Sequence, residues 1–392
     1  MDYLSPDLGS GDVRLRVSRF RGKSGVEEIH LTAEPTRYAD ARVQLGWLER
    51  AWREALAALG LDERSALFRR VFATDPVNQA AELDASPLAG PQPADNPCAI
   101  SRIGQPPLPP AKVALWACHL RDPAGPLDKQ AADKELTLTR GSLTHHWMTR
   151  LARPDQGDSH DQTAALLRDY DARLRQRGLS LPDHLVRTWL YVRDIDTHYA
   201  GMVEARKNLF AQWGLTADTH YVASSGIEGV TENPAVKVAM DAWSIGGLQP
   251  AQVEHLEALD HLSPTHVYGV TFERATALTF ADRKHILISG TASIDHTGEV
   301  VHPGDVGKQL DRTLENVAAL LEQAHAGLDD VASFLVYLRD PSDHQLIRRR
   351  LEDRFGDLPM QIVVGPVCRP GWLVEIEGLA IADADRPDLP AF

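Results

Sequence analysis

The chain has 392 residues, enough to bury a substantial core and to divide into two or more domains. A formal net charge of −14 argues against a nonspecific polyanion-binding surface, so nucleic acid is not an expected partner, while a local cationic pocket for a small acidic substrate stays open. No apolar run approaches the roughly 18–20 residues that span a bilayer, and the start MDYLSPDLGSGD lacks the basic and apolar regions of a signal peptide, which predicts a cytoplasmic protein with no membrane association.

In chain order, VRLRVSRF at 13–20 alternates as a strand, residues 38–59 carry a helix pattern, and Ala66–Phe72 is strand-like. Residues 84–110 then hold eight prolines among short polar and small residues, a composition that cannot sustain a long helix or a central strand. Residues 1–110 are therefore expected to be an N-terminal extension with a Pro-rich connector. Cys98, Cys118 and Cys368 are too far apart in sequence to suggest a disulfide framework or a thiolate metal site. The histidines show no HExxH spacing, and the neighbours His145 and His146 would point to opposite faces of a strand, so no metal is expected.

The main organisational signal follows. QTAALLRDYDARLRQRGLSLPDHLVRTWLYVRD at 162–194 resembles QLDRTLENVAALLEQAHAGLDDVASFLVYLRD at 309–340: an amphipathic helix, a Gly-containing turn, a strand and an Arg-Asp exit. Leu310, Leu314, Val317 and Leu321 form a helical apolar stripe, matched by Leu166, Tyr170 and Leu174. Helix patterns at 197–212 and 343–355 follow the two strands. AKVALWACHL and LTHHWMTRL precede the first copy, as HVYGVTFERATALTF and KHILISGTASI precede the second. The expectation is an α+β protein with two tandem domains, 111–250 and 251–392, each a mixed sheet with helices packed on one face. Neither GxGxxG nor GxxxxGK[ST] is present, so no nucleotide cofactor is expected.

The segment PVCRPGWLVEIEGL at 366–379 sets Glu375 and Glu377 two apart, on one side of a strand. If that side meets water the acids are a polar strand face; if it meets a cleft, burial raises a carboxyl pKa and preserves a proton donor. Cys368 is a candidate nucleophile, site-shaping thiol or core residue, with Arg369 beside it ahead of a Pro-Gly bend. THYVASSGIEG at 219–229 offers Tyr221, two serines and glycines for anion recognition, or else a glycine-rich connector. Arg274 can hold a carboxylate in bidentate fashion, Tyr268 can stack or donate, and Gly290 leaves room for a ligand or a neighbouring backbone.

The combination of ILISGTASI, the 309–340 segment and PVCRPGWLVEIEGLAIAD resembles the RidA/YjgF-like fold over about 264–383. From about 110 onward the chain resembles the chorismatase or hydroxybenzoate-synthase family, with THYVASSGIEG and VYGVTFERA in place. The resemblance implies cleavage of chorismate to pyruvate and 3-hydroxybenzoate, with 4-hydroxybenzoate as a further product, without cofactor or metal. It implies Glu375 as the acid that protonates the enol ether and Cys368 and Gly290 as markers of the aromatising branch, with Tyr221, Tyr268, Arg274 and Arg369 around the substrate. The RidA arginine of the PAR segment is replaced in PMQ by Gln361, which disfavours imine hydrolysis. A dihydroxycyclohexadiene carboxylate-forming chorismatase, a RidA-like imine or enamine hydrolase, and a noncatalytic metabolite-binding or assembly protein are the alternatives. Because RidA-like sheets often complete clefts with neighbouring subunits, a homotrimer is the family-based expectation for assembly.

Overall fold

The computed structural model describes residues 1–5, 11–132 and 134–392, with the side chain of Tyr268 outside that description. Its first sheet is made by β1 (Asp2–Leu4), β2 (Val13–Arg21), β3 (Glu27–Pro35), β4 (Ala66–Ala73), β5 (Ala99–Ile103) and β6 (Val113–Arg121), in the order β1-β2-β3-β6-β4-β5. Helix α1 (Ala41–Ala58) crosses from β3 to β4, started by Asp40, whose carboxylate caps the Val43 amide. Its stripe of Leu45, Leu48, Trp52, Ala55 and Leu56 packs on Val17, Leu31, Val71 and Leu115 of the sheet. The short α2 (Ala80–Ala85) lies between β4 and β5.

The second sheet follows the same plan with β7 (Asp128–Ala132), β8 (Glu135–Arg140), β9 (Leu143–Ala152), β10 (Leu185–Val192), β11 (Ala223–Glu228) and β12 (Val238–Gly246), ordered β7-β8-β9-β12-β10-β11. It is covered by α3 (Ser159–Arg175), α4 (Leu181–His184) and α5 (Ile195–Gln212). The third comprises β13 (Val253–Leu256), β14 (Ala275–Thr279), β15 (Arg283–Ala292), β16 (Val331–Leu338), β17 (Met360–Val364) and β18 (Val374–Asp383), ordered β13-β14-β15-β18-β16-β17, with α6 (Val306–Gln323) and α7 (His344–Phe355).

The expectation of two tandem sheets is thus corrected: there are three, each six-stranded and mixed, and residues 2–121 build the first. The prolines concealed it. Where the other units place the 18-residue α5 and the 12-residue α7, the first has the six-residue α2, and the Pro-rich stretch carries the short strand β5 on a sheet edge, where prolines are tolerated. The repeat extends to a shared irregularity, since the pairing of β4, β10 and β16 with the central strand of its sheet slips by one residue at Ala66/Phe68, Leu185/Arg187 and Val331/Ser333.

The faces away from the helices meet in one central core that includes Phe68, Trp116, Trp147, Trp189, Trp243, Leu287 and Leu335. Inside it Arg70 of the first sheet, fully buried, bonds Asp241 of the second at 3.3 Å and approaches Glu377 of the third at 3.8 Å. Its guanidinium lies over the rings of Phe68, Trp116, Trp189 and Tyr191. A charge this deep holds only while both carboxylates stay with it. Arg70→Met is expected to take from the buried Asp241 its cationic partner, while Glu377 keeps Arg187, and to lower stability by about 3–5 kcal/mol, read as a fall in denaturant midpoint. No helix is long and apolar enough to cross a membrane among the described residues.

Candidate active site

A cleft opens between the second and third sheets. Its floor is β18 and β15, its opposite wall β11 and α5, and its rim the loops before β14 and β18. Tyr199, Arg206, Ser224, Ser225, Gly226, Phe272, Arg274, Gly290, Cys368, Trp372 and Glu375 line it. About 30 Å³ between these walls admits water-sized groups, so a ligand larger than a few waters enters only as the walls part or at the open rim.

Glu375 stands on β18 opposite Ala292 and Tyr337, 5% exposed. The strand face carrying both acids turns inward. Burial first, and the charge of Glu377 second, push the Glu375 carboxyl up to about 8, against a smaller opposing pull from Arg274 and Arg187. At neutral pH it therefore keeps its proton. Glu377 is instead tied down: its carboxylate accepts from Trp189 Nε1 at 2.7 Å and from Arg187 Nη2 at 2.9 Å. The same Arg187 nitrogen donates to Ser225 Oγ at 2.8 Å, and that hydroxyl accepts from the Gly290 amide at 3.0 Å. A continuous chain of contacts thus runs from the core carboxylate to the wall of the cleft beside Glu375.

Gly290 has a specific steric reason. A β-carbon there would stand 2.1 Å from Glu375 Oε1 and 3.5 Å from Ser225 Oγ. The clash is with the end of a flexible side chain, so Gly290→Ala is expected to fold normally and to expel the carboxyl from its place. Turnover should fall by at least about tenfold, with little change in melting temperature.

Two buried guanidiniums face the same space. Arg274 donates from Nε and Nη2 to the Ser263 carbonyl, at 3.2 and 2.8 Å, and lies over Phe272. Arg206 on α5 donates to Thr271 Oγ1 at 3.1 Å and Ser224 Oγ at 3.2 Å, both neutral, and makes no ion pair with a carboxylate within 4.0 Å among the described residues. Burial pulls its pKa down, as expected for a cation removed from water. The Cys368 thiol is pushed up to about 12, by burial first and then by Glu375, with the Tyr199 hydroxyl as a hydrogen-bond partner. It is a neutral thiol at physiological pH, a poor nucleophile.

Of the residues expected from the sequence, Glu375, Cys368, Arg274 and Gly290 line this cleft together. Tyr221 does not: its amide donates to Glu273 and its ring packs beside the α3–α5 core, while its neighbours Ser224 and Ser225 form the wall as strand residues. Arg369 donates to the Gly298 carbonyl at 2.9 Å and lies over Trp372, at the rim. Tyr268 lies in a short turn, and its side chain is outside the described residues. Gln361 is buried in a groove with Arg14, Arg16 and Glu34, between the first and third sheets. In the Glu375 cleft its place in register is taken by Ser225, because Leu335 pairs with Gln361 as Trp189 pairs with Ser225. Counting from the shared slip, Ala114 and Ala239 hold the position of Glu375 in the other two sheets, so only the third sheet brings an acid to this place.

Arg206, Tyr199, Arg187 and Trp372 were not singled out from the sequence. For Arg206 a signal existed, since it interrupts the buried stripe Met202, Ala205, Leu209 and Phe210 of α5. An arginine on the apolar face of a helix needs a partner.

Three mixed sheets thus place a proton-bearing carboxyl and two buried arginines in one inter-sheet cleft. The endoribonuclease L-PSP family model matches residues 276–382. A RutC family protein of Pyrococcus abyssi is 37% identical over 98 residues, 24% of this chain and 76% of that protein. The chain belongs to the RidA/YjgF-like superfamily. A chorismatase of Streptomyces rapamycinicus is 28% identical over 213 residues, half of this chain and 63% of that enzyme's length. A crystallised chorismatase superposes with a TM-score of 0.61 at 21% identity, over 81% of this chain and 93% of that one, a likeness of fold. The sequence relationships, apart from that likeness of fold, support an enzymatic role within the superfamily.

Proposed function

We propose that the cleft cleaves chorismate to pyruvate and 3-hydroxybenzoate, with 4-hydroxybenzoate as a further product. The observation that carries this reading is the pairing of Glu375, held protonated up to about 8, with the buried and ionically unmatched Arg206 in one cleft. Chorismate brings an acid-sensitive enol ether and two carboxylates. Arg206 and Arg274 would hold the carboxylates and Tyr199, Phe272 and Trp372 would border the ring, so that the ether lies against Glu375. Arg369 would then act at the rim.

Glu375 transfers its proton to the enol-ether methylene, which becomes the methyl group of pyruvate. Positive charge develops at the adjacent carbon, and the bond between ring carbon and ether oxygen weakens. The neighbouring ring hydroxyl closes onto the vacated ring carbon as an epoxide-like species, pyruvate leaves with the ether oxygen, and reopening with loss of a ring proton gives the aromatic acid. The proton lost returns to Glu375, and the atoms of chorismate are fully divided between the two products. Cys368, as a neutral thiol, would steer the reopening.

The direct test incubates the purified protein with chorismate and separates the products by mass. Pyruvate and hydroxybenzoate in equal amounts are expected; a folded sample that accelerates neither would sink the reading. Ammonia release from an imino acid would instead favour the RidA-type reaction, which the superfamily makes the second reading. In Cys368→Ala the proportion of 3- to 4-hydroxybenzoate is expected to change by several-fold while total pyruvate release changes less. An unchanged proportion would remove the cysteine from product control.

A further inference from the structure

We propose that Glu28, His30 and Cys118 form a buried binding site for a divalent transition-metal ion of the zinc class, separate from the Glu375 cleft. Glu28 and His30 leave the same face of β3, two residues apart, and Cys118 is the direct cross-strand partner of His30 on β6. Glu28 Oε1 is 3.0 Å from His30 Nε2, the Cys118 sulfur is 3.9 Å from that nitrogen, and all three donor atoms lie within 4.8 Å of one another. An ion with bonds of about 2.0 Å to nitrogen and oxygen and about 2.3 Å to sulfur needs tetrahedral donors about 3.3–3.6 Å apart. Side-chain shifts of up to about an ångström would close the set. One imidazole, one carboxylate and one thiolate suit a borderline-soft dication and neutralise its charge.

Two further observations point the same way. The second oxygen of Glu28 is already engaged, accepting from His285 Nε2 at 2.8 Å and Arg283 Nη1 at 3.4 Å, which fixes the carboxylate with its other oxygen toward His30. This is the outer-shell support that metal-ligating carboxylates use. All three ligands also border the central cavity, beside Trp116, Trp147 and Trp243, and about 60 Å³ of it admits water-sized groups. That is room for a water or small anion in a fourth coordination position. The ligand set is particular to the first sheet, because the same paired positions hold Trp147 and Trp243 in the second and Leu287 and Leu379 in the third. The expectation of no metal rested on spacing along the chain, and His30 and Cys118 are 88 positions apart.

The test uses the full chain, loaded with zinc and dialysed, then with cobalt(II) in its place. One equivalent of zinc should be retained, and cobalt should give a near-ultraviolet thiolate-to-metal band. Cys118→Ser should abolish the band and His30→Gln should weaken zinc binding by at least about tenfold. Cys98→Ser and His160→Ala should leave both readouts unchanged, the latter checking the exposed Asp158–His160–Asp161 group. Folded wild-type protein that retains no zinc, a band that survives Cys118→Ser, or one lost in Cys98→Ser would overturn the proposal. If the ligand variants do not fold, zinc protection of Cys118 from alkylation in the wild type decides: an unprotected Cys118 refutes the site.

Discussion

Glu375→Gln is expected to lower pyruvate release from chorismate by about 10²- to 10⁴-fold, the contribution of a positioned general acid, while leaving the fold intact. Glutamine keeps the shape and loses the proton. The wild-type kcat/KM should fall as pH rises through about 8, where Glu375 ionises, and the residual rate of the variant should lack that limb. Stability should fall with rising pH in the same sense as the activity. Because the folded-state pKa is raised from 4.5 to about 8, the native state binds this proton more tightly than the unfolded chain. Its contribution is fully present below about 4.5 and is lost as pH climbs to 8, on the order of a few kcal/mol over the window. Glu375→Gln should therefore gain on the wild type in melting temperature as pH rises from 5 to 8. A variant with full activity, or with a stability difference independent of pH, would remove Glu375 from the role of acid.

Arg206→Met is expected to reduce kcat/KM for chorismate by about 10- to 100-fold, the loss of a charge-assisted contact to a carboxylate in a dry site. The effect should fall mainly on KM if the contact is made equally in ground and transition states. The melting temperature separates this role from a structural one. Arg206 is a buried cation held by two neutral hydroxyls, so its removal should leave stability unchanged or raised; a structural arginine would lower it. Arg206→Lys should not restore the rate, since an ammonium cannot reproduce the planar fork. A normal KM with a lowered melting temperature would assign Arg206 to packing alone.

Much of this was legible in the chain. Alternation placed Glu375 and Glu377 on one strand face, and the 162–194 and 309–340 segments announced related units because both keep a long helix followed by an apolar strand. The first unit escaped notice because α2 is too short to show periodicity and because the prolines on either side of β5 read as a connector. Alternation alone did not tell which of two acids holds the proton; only the family resemblance pointed to Glu375, because the choice depends on Arg187 and Trp189, which reach Glu377 from another sheet 188 or more positions away. The gap in Arg206's pairing is likewise a property of three dimensions. Only its place on the apolar stripe of α5 hinted at it.

Both walls of the Glu375 cleft belong to one covalent chain, and this bears on how the site behaves on dilution. Where a cleft is shared between separate subunits its occupancy is a bimolecular equilibrium, and specific activity falls once protein concentration drops below the dissociation constant. Here the second sheet meets the third at a fixed effective concentration set by the connection between β12 and β13. Specific activity should stay constant down to nanomolar enzyme, whatever larger assembly the chain enters. Covalent linkage also releases each cleft from symmetry, so that Ala114 and Ala239 stand at two of three equivalent places while the third keeps the acid at 375.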